Sequence, residues 1–495
     1  MKSNQRFRLA KLSLLALFGF HVAAPAAESA STLASAPART PADQLDPAIT
    51  RILADISAQR IEQRIRTLVG FHTRHTQSET ASDTRGIGAA RRWIQRELQA
   101  CALASGGHLQ VSIDEWVEPA SPRLDKATTM VNVIATLPGI SAASRSRQLV
   151  VSGHYDSRNG NVMDASGYAP GANDDASGVA AVMEMACAMA PQQFDATLVF
   201  MAVAGEEQGL LGAAHAARQA RRQGTAIEAM VTNDIVGSST GDFGQRDAKQ
   251  VRLFAGGFDP LLQMLMRAQG NVQAEPDPTE ARANQVAREQ MQAIALAGGA
   301  EDLPTHQLGR HLKAAGERYL PGFKVNLIQR RDRYLRGGDH LPFLERGFAA
   351  VRFTEPFENF AHQHQDVRTD NGKAYGDLPE FVDFNYVADV ARLNAAGLAT
   401  LALAPAPPRE VRIDARTLTN DSTLSWASST DPQVAGYRVI WRDTDTAHWQ
   451  HARDVGLVSG VTLQGISKDN VIFGVQVLSK RGHASLGVYP LPLRP

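Results

Sequence analysis

The spacing of apolar residues predicts an α/β domain in the first four fifths of the chain. Apolar residues recur at helical spacing over 49–68 and 87–103. Beyond them, short apolar runs typical of buried strands alternate with helical segments. Strands are predicted at 130–135, 149–153, 197–203, 229–235 and 347–353, and helices at 177–190, 209–222, 260–268, 306–318 and 381–403. Strands that are apolar on both faces and separated by helices indicate a mostly parallel mixed sheet with helices on both faces.

A second region follows a proline-rich break. The residues Pro405-Ala406-Pro407-Pro408 end the last predicted helix and are typical of a linker. Short alternating runs then predict strands at 411–413, 423–426, 436–441 and 471–477. Short strands at this spacing favour a small all-β sandwich over residues 409–495. The strand with Trp426 and the runs at 436–439 and 473–477 resemble those of a fibronectin type III module.

The amino terminus has the pattern of a secretory signal peptide. Four basic residues precede the apolar run 12–20, and small residues follow as far as Ala27. The apolar run is too short for a membrane span, which needs about 20 residues. Residues 28–46 are rich in Ala, Ser, Thr and Pro and are expected to form a flexible lead-in, which leaves 47–404 for the α/β domain. We therefore expect an exported protein, periplasmic or secreted, with no membrane span.

Composition and charge exclude several classes of protein. The chain has 51 basic and 51 acidic residues, so it lacks the basic excess of a nucleic-acid binder. Its two cysteines, Cys101 and Cys187, are too few for a disulfide-built scaffold or a cysteine metal site. Export would permit the two to pair. Because Cys187 lies in an apolar helical run, however, we expect a buried free thiol.

Candidate chemistry lies where the predicted strands end. The carboxyl ends of parallel strands meet at one edge of a sheet, which is where such sheets bind ligands. The polar residues at these ends and at the start of the following helix are His154, Asp156, Asp174, Glu206, Glu207 and Asp234. Imidazole and carboxylate donors without thiolates suit zinc, and a carboxylate shared between two ions suits a pair of metals. A further histidine ligand is expected, and His362 and His364 are both candidates.

These motifs, in this order, resemble the exported di-zinc aminopeptidases of the bacterial leucyl type. Glutamate carboxypeptidase II and glutaminyl cyclase are wider relatives of that family. The resemblance covers roughly 49–403. It rests on His154-x-Asp156-Ser157, Asn173-Asp174 before Ser177-Gly178, Glu206-Glu207-x-Gly209, Asp234 and Gly338-Asp339-His340-x-x-Phe343.

The resemblance implies a role for each matching residue. His154 and Asp234 each bind one zinc ion, Asp174 bridges both, and Glu207 is a terminal ligand. Glu206 is the general acid/base, and Asp156 is the partner of His154.

For the last ligand, the family commonly has an aspartate four residues after the histidine. His362 with Asp366 keeps that spacing, so His362 is slightly preferred over His364. The tyrosine that often precedes this histidine in relatives is Ala361 or Gln363 here, so its role in stabilising the oxyanion is not assigned.

The expected activity follows from the charges. Two zinc ions lower the pKa of a shared water towards about 7 and so supply a metal-bridging hydroxide. Glu206 takes the proton and later gives it to the departing amine. We expect an aminopeptidase that acts on peptides with a free N-terminus. The alternatives are a carboxypeptidase or dipeptidase on the same scaffold and, in a different class, a non-catalytic binding ectodomain. Glutaminyl cyclase is disfavoured because it would not need both metals.

Other polar residues are assigned no site role. The basic run Arg330, Arg331, Arg333 and Arg336 is expected to pair with Asp332 or to lie in water, and the alternative is that one arginine meets a substrate carboxylate. Four further histidines, His72, His75, His306 and His311, are expected to be structural or solvated. The aromatic residues of the C-terminal module are expected in its core, although the module could contact a surface or a polymer.

Overall fold

The computed structural model describes residues 45–257 and 278–493. The predicted signal peptide, nearly all of the lead-in and the helix predicted at 260–268 lie outside the described residues. Among the described residues, no helix has both the length and the apolar character needed to cross a membrane.

The α/β region contains nine α-helices and ten strands among its described residues. The helices are α1 Pro47–Asp55, α2 Ala58–Val69, α3 Gly86–Ala104, α4 Ala176–Met189, α5 Leu211–Gln223, α6 Pro278–Ile294, α7 Pro304–Tyr319, α8 His340–Glu345 and α9 Phe384–Ala402. The strands are β1 Gln110–Glu118, β2 Thr128–Leu137, β3 Arg147–His154, β4 Thr197–Val203, β5 Ala226–Asn233, β6 Gln250–Phe254, β7 Lys324–Ile328, β8 Ala350–Thr354, β9 Arg368–Asp370 and β10 Lys373–Tyr375.

Eight of these strands form one mixed sheet, in the order β1-β2-β4-β3-β5-β8-β6-β7. The four central strands β4, β3, β5 and β8 run parallel, whereas β1, β2 and β6 pair antiparallel with a neighbour. The carboxyl ends of the central strands therefore meet at one edge of the sheet, which confirms the predicted fold class.

Alternation along the central strands explains why both faces of the sheet are covered. In β4, Leu198 and Phe200 belong to one apolar core and Val199 and Met201 to another. Successive side chains of a strand point to opposite faces, so an uninterrupted apolar strand needs packing on both sides. Helices α4 and α9 contribute to the first core, and α5 and α8 contribute to the second.

Some elements were not predicted from the sequence. Strand β1 is an edge strand with no fully buried residue, so it carries no apolar run. The strands β6 and β7 and helix α6 lie in the stretch whose apolar pattern is least regular. Strands β1 and β7 are the two edge strands of the sheet.

The expectation of a free thiol at position 187 is wrong. Cys101 and Cys187 form a disulfide with a Cα–Cα distance of 5.2 Å. Helix α4 is buried at every position except Cys187, which is half-buried and faces α3. An apolar helix thus presents its cysteine to a neighbouring helix, and the sequence pattern alone did not show this packing.

The C-terminal region consists of further β-sheets, as the sequence predicts. Its strands are β11 Arg409–Asp414, β12 Ser422–Ala427, β13 Val434–Asp443, β14 His451–Gly456, β15 Gly460–Leu463, β16 Val471–Ser479 and β17 Leu491–Leu493. They form a four-stranded sheet, β15-β12-β11-β17, and a three-stranded sheet, β14-β13-β16. Trp426 and Tyr437 are buried in the core of this region, with ring centroids 5.2 Å apart.

A buried ion cluster joins the two regions. Asp302, just before α7, accepts hydrogen bonds from Arg310 of α7 at 2.9 Å and from Arg442 of β13 at 2.7 Å. The Arg310 Nε donates to the Ala447 carbonyl at 2.6 Å. Trp449 Nε1 of the C-terminal region lies 3.3 Å from Gln307 Oε1. The C-terminal sheets are therefore packed firmly against helix α7.

Candidate metal centre

The sheet brings the predicted site residues to one edge. His154 is the last residue of β3 and pairs with Val203, the last residue of β4. Glu206 and Glu207 follow β4 directly, and Asp234 follows β5. Because these three strands are neighbours and parallel, their ends deliver an imidazole and three carboxylates to the same place.

Two adjacent groups of side chains could hold metal ions. One group is His154, Glu206 and Asp234, and the other is Asp174, Glu207 and His364; within each group the donor atoms lie within 4.8 Å of one another. Asp174 faces both groups, because its Oδ1 is 3.1 Å from His154 Nε2 and its Oδ2 is 2.8 Å from His364 Nε2. A carboxylate in this position could contact an ion held by either group.

The donor atoms fit a bound cation. Among the described residues, His154 Nε2 and Glu207 Oε1 are buried and make no well-formed hydrogen bond, although Asp174 Oδ1 and His364 Nε2, respectively, lie within 3.1 Å of them. A metal ion between these donor atoms would satisfy both buried groups. Imidazole nitrogen and carboxylate oxygen are zinc ligands, and no thiolate is needed.

Burial also changes the protonation of the cluster. It raises the pKa of Glu206 well above its ordinary value and that of Asp234 to about 6. Asp174 differs, because His364 and His154 outweigh its burial and hold its pKa well below the ordinary value. Glu206 is thus a carboxylate that readily accepts a proton.

Of the two candidates for the last ligand, the structure places His364 in the cluster. Its Nε2 is 3.0 Å from Glu207 Oε1. His362 instead stacks on the ring of Phe381, with centroids 3.6 Å apart and an interplanar angle of 7°. Asp366 accepts a hydrogen bond from the Gly160 N–H at 3.3 Å rather than pairing with His362. This placement corrects the preference for His362. That preference rested on the four-residue spacing between His362 and Asp366, and the two side chains do not pair in the structure.

Asp156 accepts hydrogen bonds from the backbone of both glutamates. Its Oδ1 accepts from the Glu206 N–H at 3.2 Å, and its Oδ2 accepts from the Glu207 N–H at 3.1 Å. Its Oδ1 is also 3.6 Å from His154 Nδ1, whose closest acceptor is the Asp156 carbonyl at 3.2 Å. Asp156 therefore lies beside His154 as expected, and its contact with the backbone of both glutamates is an addition to that expectation.

Asp377 supports the bridging aspartate and was missed by sequence reasoning. Its carboxylate accepts from the N–H groups of Asn173 and Asp174, both at 2.7 Å. The peptide bond between Asp174 and Asp175 is cis. Asp377 lies some 200 residues further along the chain, in no recognisable motif, so no sequence signal pointed to it.

Two arginines border the metal groups and were also missed. Arg352 is fully buried, and its Nη2 is 3.0 Å from Asp234 Oδ1. Arg158 Nε is 2.9 Å from Glu207 Oε2, and its Nη2 is 2.6 Å from His364 Nδ1. Each guanidinium offsets part of the negative charge of one donor group.

The basic run after β7 has partners within the protein. Arg331 pairs with Glu345 at 2.9 Å, Arg333 with Asp332 at 3.0 Å, and Arg336 with Glu358. Arg330 packs over the ring of Tyr334, 3.7 Å from its centroid. Of the four arginines expected to pair with Asp332 or to lie in water, Arg333 makes the pair with Asp332. Arg336 is one-third exposed and also donates to Gln363 Oε1 at 3.3 Å, beside His364.

Asp339 is a further acidic residue of the centre. It is 1% exposed, and burial raises its pKa to about 8. The sequence motif Gly338-Asp339-His340 pointed to this segment without assigning it a role.

An imidazole and carboxylate cluster at the edge of a parallel sheet is typical of metal-dependent hydrolases. Comparison with known proteins specifies the class further. Residues 132–296 match the sequence model of peptidase family M28. The chain is 44% identical over 447 residues to a probable zinc metalloprotease of Pyrenophora tritici-repentis, covering 90% of this chain and 87% of the relative. It is 45% identical over 444 residues to one of Leptosphaeria maculans, covering 90% and 97%. The chain therefore belongs to peptidase family M28 and is a zinc metallopeptidase.

Solved structures with a similar fold include two aminopeptidases. The LapA aminopeptidase of Legionella pneumophila is 17% identical, with a TM-score of 0.47 and coverage of 72% of this chain and 74% of that one. The aminopeptidase of Aneurinibacillus sp. strain AM-1 is 15% identical, with a TM-score of 0.45 and coverage of 72% and 96%.

Proposed function

We propose that the protein is an aminopeptidase that holds two zinc ions. The observation that carries this proposal is the position of Asp174 between two donor groups. His154 and Asp234 would hold one ion, Glu207 and His364 the other, and Asp174 both. Two groups that share one carboxylate are the arrangement expected of paired hydrolytic metals.

The chemistry divides between the metals and the protein. Bound zinc lowers the pKa of a coordinated water to about 7 and polarises the scissile carbonyl. Glu206 accepts the proton of the attacking water and then donates it to the departing amine. Asp156 keeps Glu206 and Glu207 in place through their backbone N–H groups.

Substrate analogues separate an aminopeptidase from the alternatives. Only an aminopeptidase loses its substrate when the amine is blocked, so we expect cleavage of aminoacyl-anilides and none of their N-acetyl forms. A carboxypeptidase or dipeptidase would instead require a free carboxylate. The partly exposed Arg336 is the residue that could bind such a carboxylate. Equal cleavage of free and blocked anilides would reject the proposal.

The metal count and the base are tested together. We expect about two zinc ions per chain by elemental analysis, and the same content with no hydrolysis in Glu206→Gln. Glu410→Gln is a matched control, because Glu410 is an exposed carboxylate on β11 of the C-terminal region. Normal hydrolysis by Glu206→Gln, or wild-type protein without metal, would contradict the mechanism.

We also propose that the chain is exported after removal of residues 1–27, that 47–404 form the peptidase domain and that 409–495 form a fibronectin type III-like sandwich. The Cys101–Cys187 disulfide supports export, because disulfides persist in oxidising compartments. Amino-terminal sequencing of the exported protein is expected to start near residue 28.

Peptides with a free N-terminus are the proposed partners, and contact with a surface or polymer through 409–495 is a separate proposal.

A further inference from the structure

Asp339 lies in the centre without a partner. It directly precedes helix α8, where an aspartate side chain commonly accepts a hydrogen bond from the first turn. Here the side chain makes no such bond. Only 1% of the residue is exposed, and both carboxylate oxygens are buried without a hydrogen-bond partner. The carboxylate therefore faces away from its own helix.

The surroundings of Asp339 belong to the metal centre. A methyl group at the preceding Gly338 would lie 3.2 Å from Asp234 Oδ2, so this segment packs directly on a zinc ligand. The charged groups that act most strongly on Asp339 are His154, Asp156 and Asp234. Asp339 in turn is among the charges that act on Glu206. Its carboxylate thus belongs to the same charged cluster as the proposed general base.

The other supporting carboxylates of the centre are occupied. Asp156 accepts from two backbone N–H groups, those of residues 206 and 207. Asp175 accepts from the N–H groups of residues 154 and 178. Asp377 accepts from those of residues 173 and 174. Among the described residues, Asp339 belongs to neither metal-donor group. Asp339 therefore has no structural or metal-binding role among the described residues.

A buried carboxylate without a hydrogen bond is costly, and a positive group that donates hydrogen bonds is the partner that best offsets this cost. None of the described residues donates a hydrogen bond to the Asp339 carboxylate. A peptide substrate with a free N-terminus brings one, because its α-ammonium group is charged and has three N–H donors. An acylated N-terminus has neither the charge nor the three donors.

We propose that Asp339 binds the α-ammonium group of the substrate and so makes the enzyme specific for a free N-terminus. This inference rests on the proposed aminopeptidase function, for which it identifies a specificity-determining residue. The ammonium group then lies beside Glu206, with the scissile bond one residue along the chain over the metal groups.

Binding without turnover tests the proposal directly. The probes are L-leucinamide and 4-methylpentanamide, which is the same molecule without its amino group. Their affinities are measured by calorimetry in zinc-loaded Glu206→Gln and in Glu206→Gln with Asp339→Asn. We expect Asp339→Asn to weaken leucinamide binding about 10- to 100-fold, the range for hydrogen bonds between charged groups, and to leave 4-methylpentanamide unchanged.

The controls separate this effect from others. Asp370→Asn removes the same charge from an exposed position of β9 and is expected to change neither affinity. Zinc content and thermal melting are measured for Asp339→Asn and for Asp339→Ala, so that a loss of binding is not confused with unfolding. Unchanged leucinamide binding in either folded variant would overturn the proposal. So would loss of a zinc ion, since Asp339 would then be a metal ligand.

Failure of this inference and failure of the proposed function give different results. If the wild-type enzyme cleaves free and N-acetylated anilides equally, the aminopeptidase function is wrong. If the wild-type enzyme prefers free amines and Asp339→Asn keeps that preference, only the role of Asp339 is wrong.

Discussion

The ion cluster between the α/β region and the C-terminal sheets is expected to be a major source of stability. Replacing Asp302 by Ala removes the carboxylate that pairs with both Arg310 and Arg442. All three residues are at most 5% exposed, so the two guanidinium groups would remain buried without a counter-charge. Water cannot reach them without opening the interface between the two regions.

The magnitude follows from this burial. Removing one partner of a buried ion pair costs about 3–5 kcal/mol, because the charge that remains is unpaired. Here two charges remain, so the upper part of that range is expected. Folded proteins are stable by about 5–15 kcal/mol, so Asp302→Ala would remove a large fraction of the free energy of unfolding.

Urea denaturation followed by tryptophan fluorescence provides the assay, since Trp449 lies next to the cluster. The control is Asp454→Ala, which removes the partner of Arg438 at an exposed position and is expected to cost at most about 1 kcal/mol. A triple replacement of the cluster by apolar residues is expected to recover most of the loss. If Asp302→Ala were no more destabilising than Asp454→Ala, the cluster would not fasten the two regions.

Three further predictions concern single features. His364→Ala is expected to lose zinc while His362→Ala retains it, measured by elemental analysis; the reverse result would restore the spacing argument for His362. Replacing Cys101 and Cys187 by Ser is expected to lower the free energy of unfolding by about 4 kcal/mol, because the disulfide closes a loop across 86 residues, and an unchanged urea midpoint would refute this. Burial lowers the pKa of His311 to about 4, from about 6.5 in an unfolded chain, so the unfolded state binds the extra proton between these pH values. The stability that the neutral His311 contributes is therefore present above pH 6.5 and is lost as the pH falls towards 4, by about 1.4 kcal/mol per pH unit, and His311→Gln should flatten that slope in urea titrations.

The candidate ligands at the strand ends could be predicted from sequence because each strand and its ligand lie in one short stretch of the chain. An apolar strand followed at once by His154, by the Glu206-Glu207 pair or by Asp234 shows both the element and the ligand in one short stretch. A parallel sheet then brings these residues together at one edge. The choice between His362 and His364 had no such basis. It depended on which ring packs on Phe381, a contact between segments that sequence spacing does not determine.

The supporting residues could not be predicted for a different reason. Asp377 acts on backbone N–H groups, and any aspartate can do so if the fold brings it there. Arg352 lies in strand β8 among apolar neighbours, so its position in the sequence gives no sign of a polar role. Its ion pair with Asp234 depends on the register between β5 and β8. Residues that act through the backbone or across a sheet leave no motif.

The zero formal charge of the chain conceals a strong local imbalance. Four carboxylates make up most of the two donor groups, and within residues 45–257 and 278–493 only two guanidinium groups, those of Arg158 and Arg352, form ion pairs with them. The remaining negative charge is buried, where it cannot be screened by water and cannot be relieved except by protonation or by a bound cation. Two doubly charged ions would offset the four donor carboxylates. They would leave the two buried oxygens of Asp339 without a hydrogen-bond partner among the described residues, and in our proposal the α-ammonium group of the substrate is that partner.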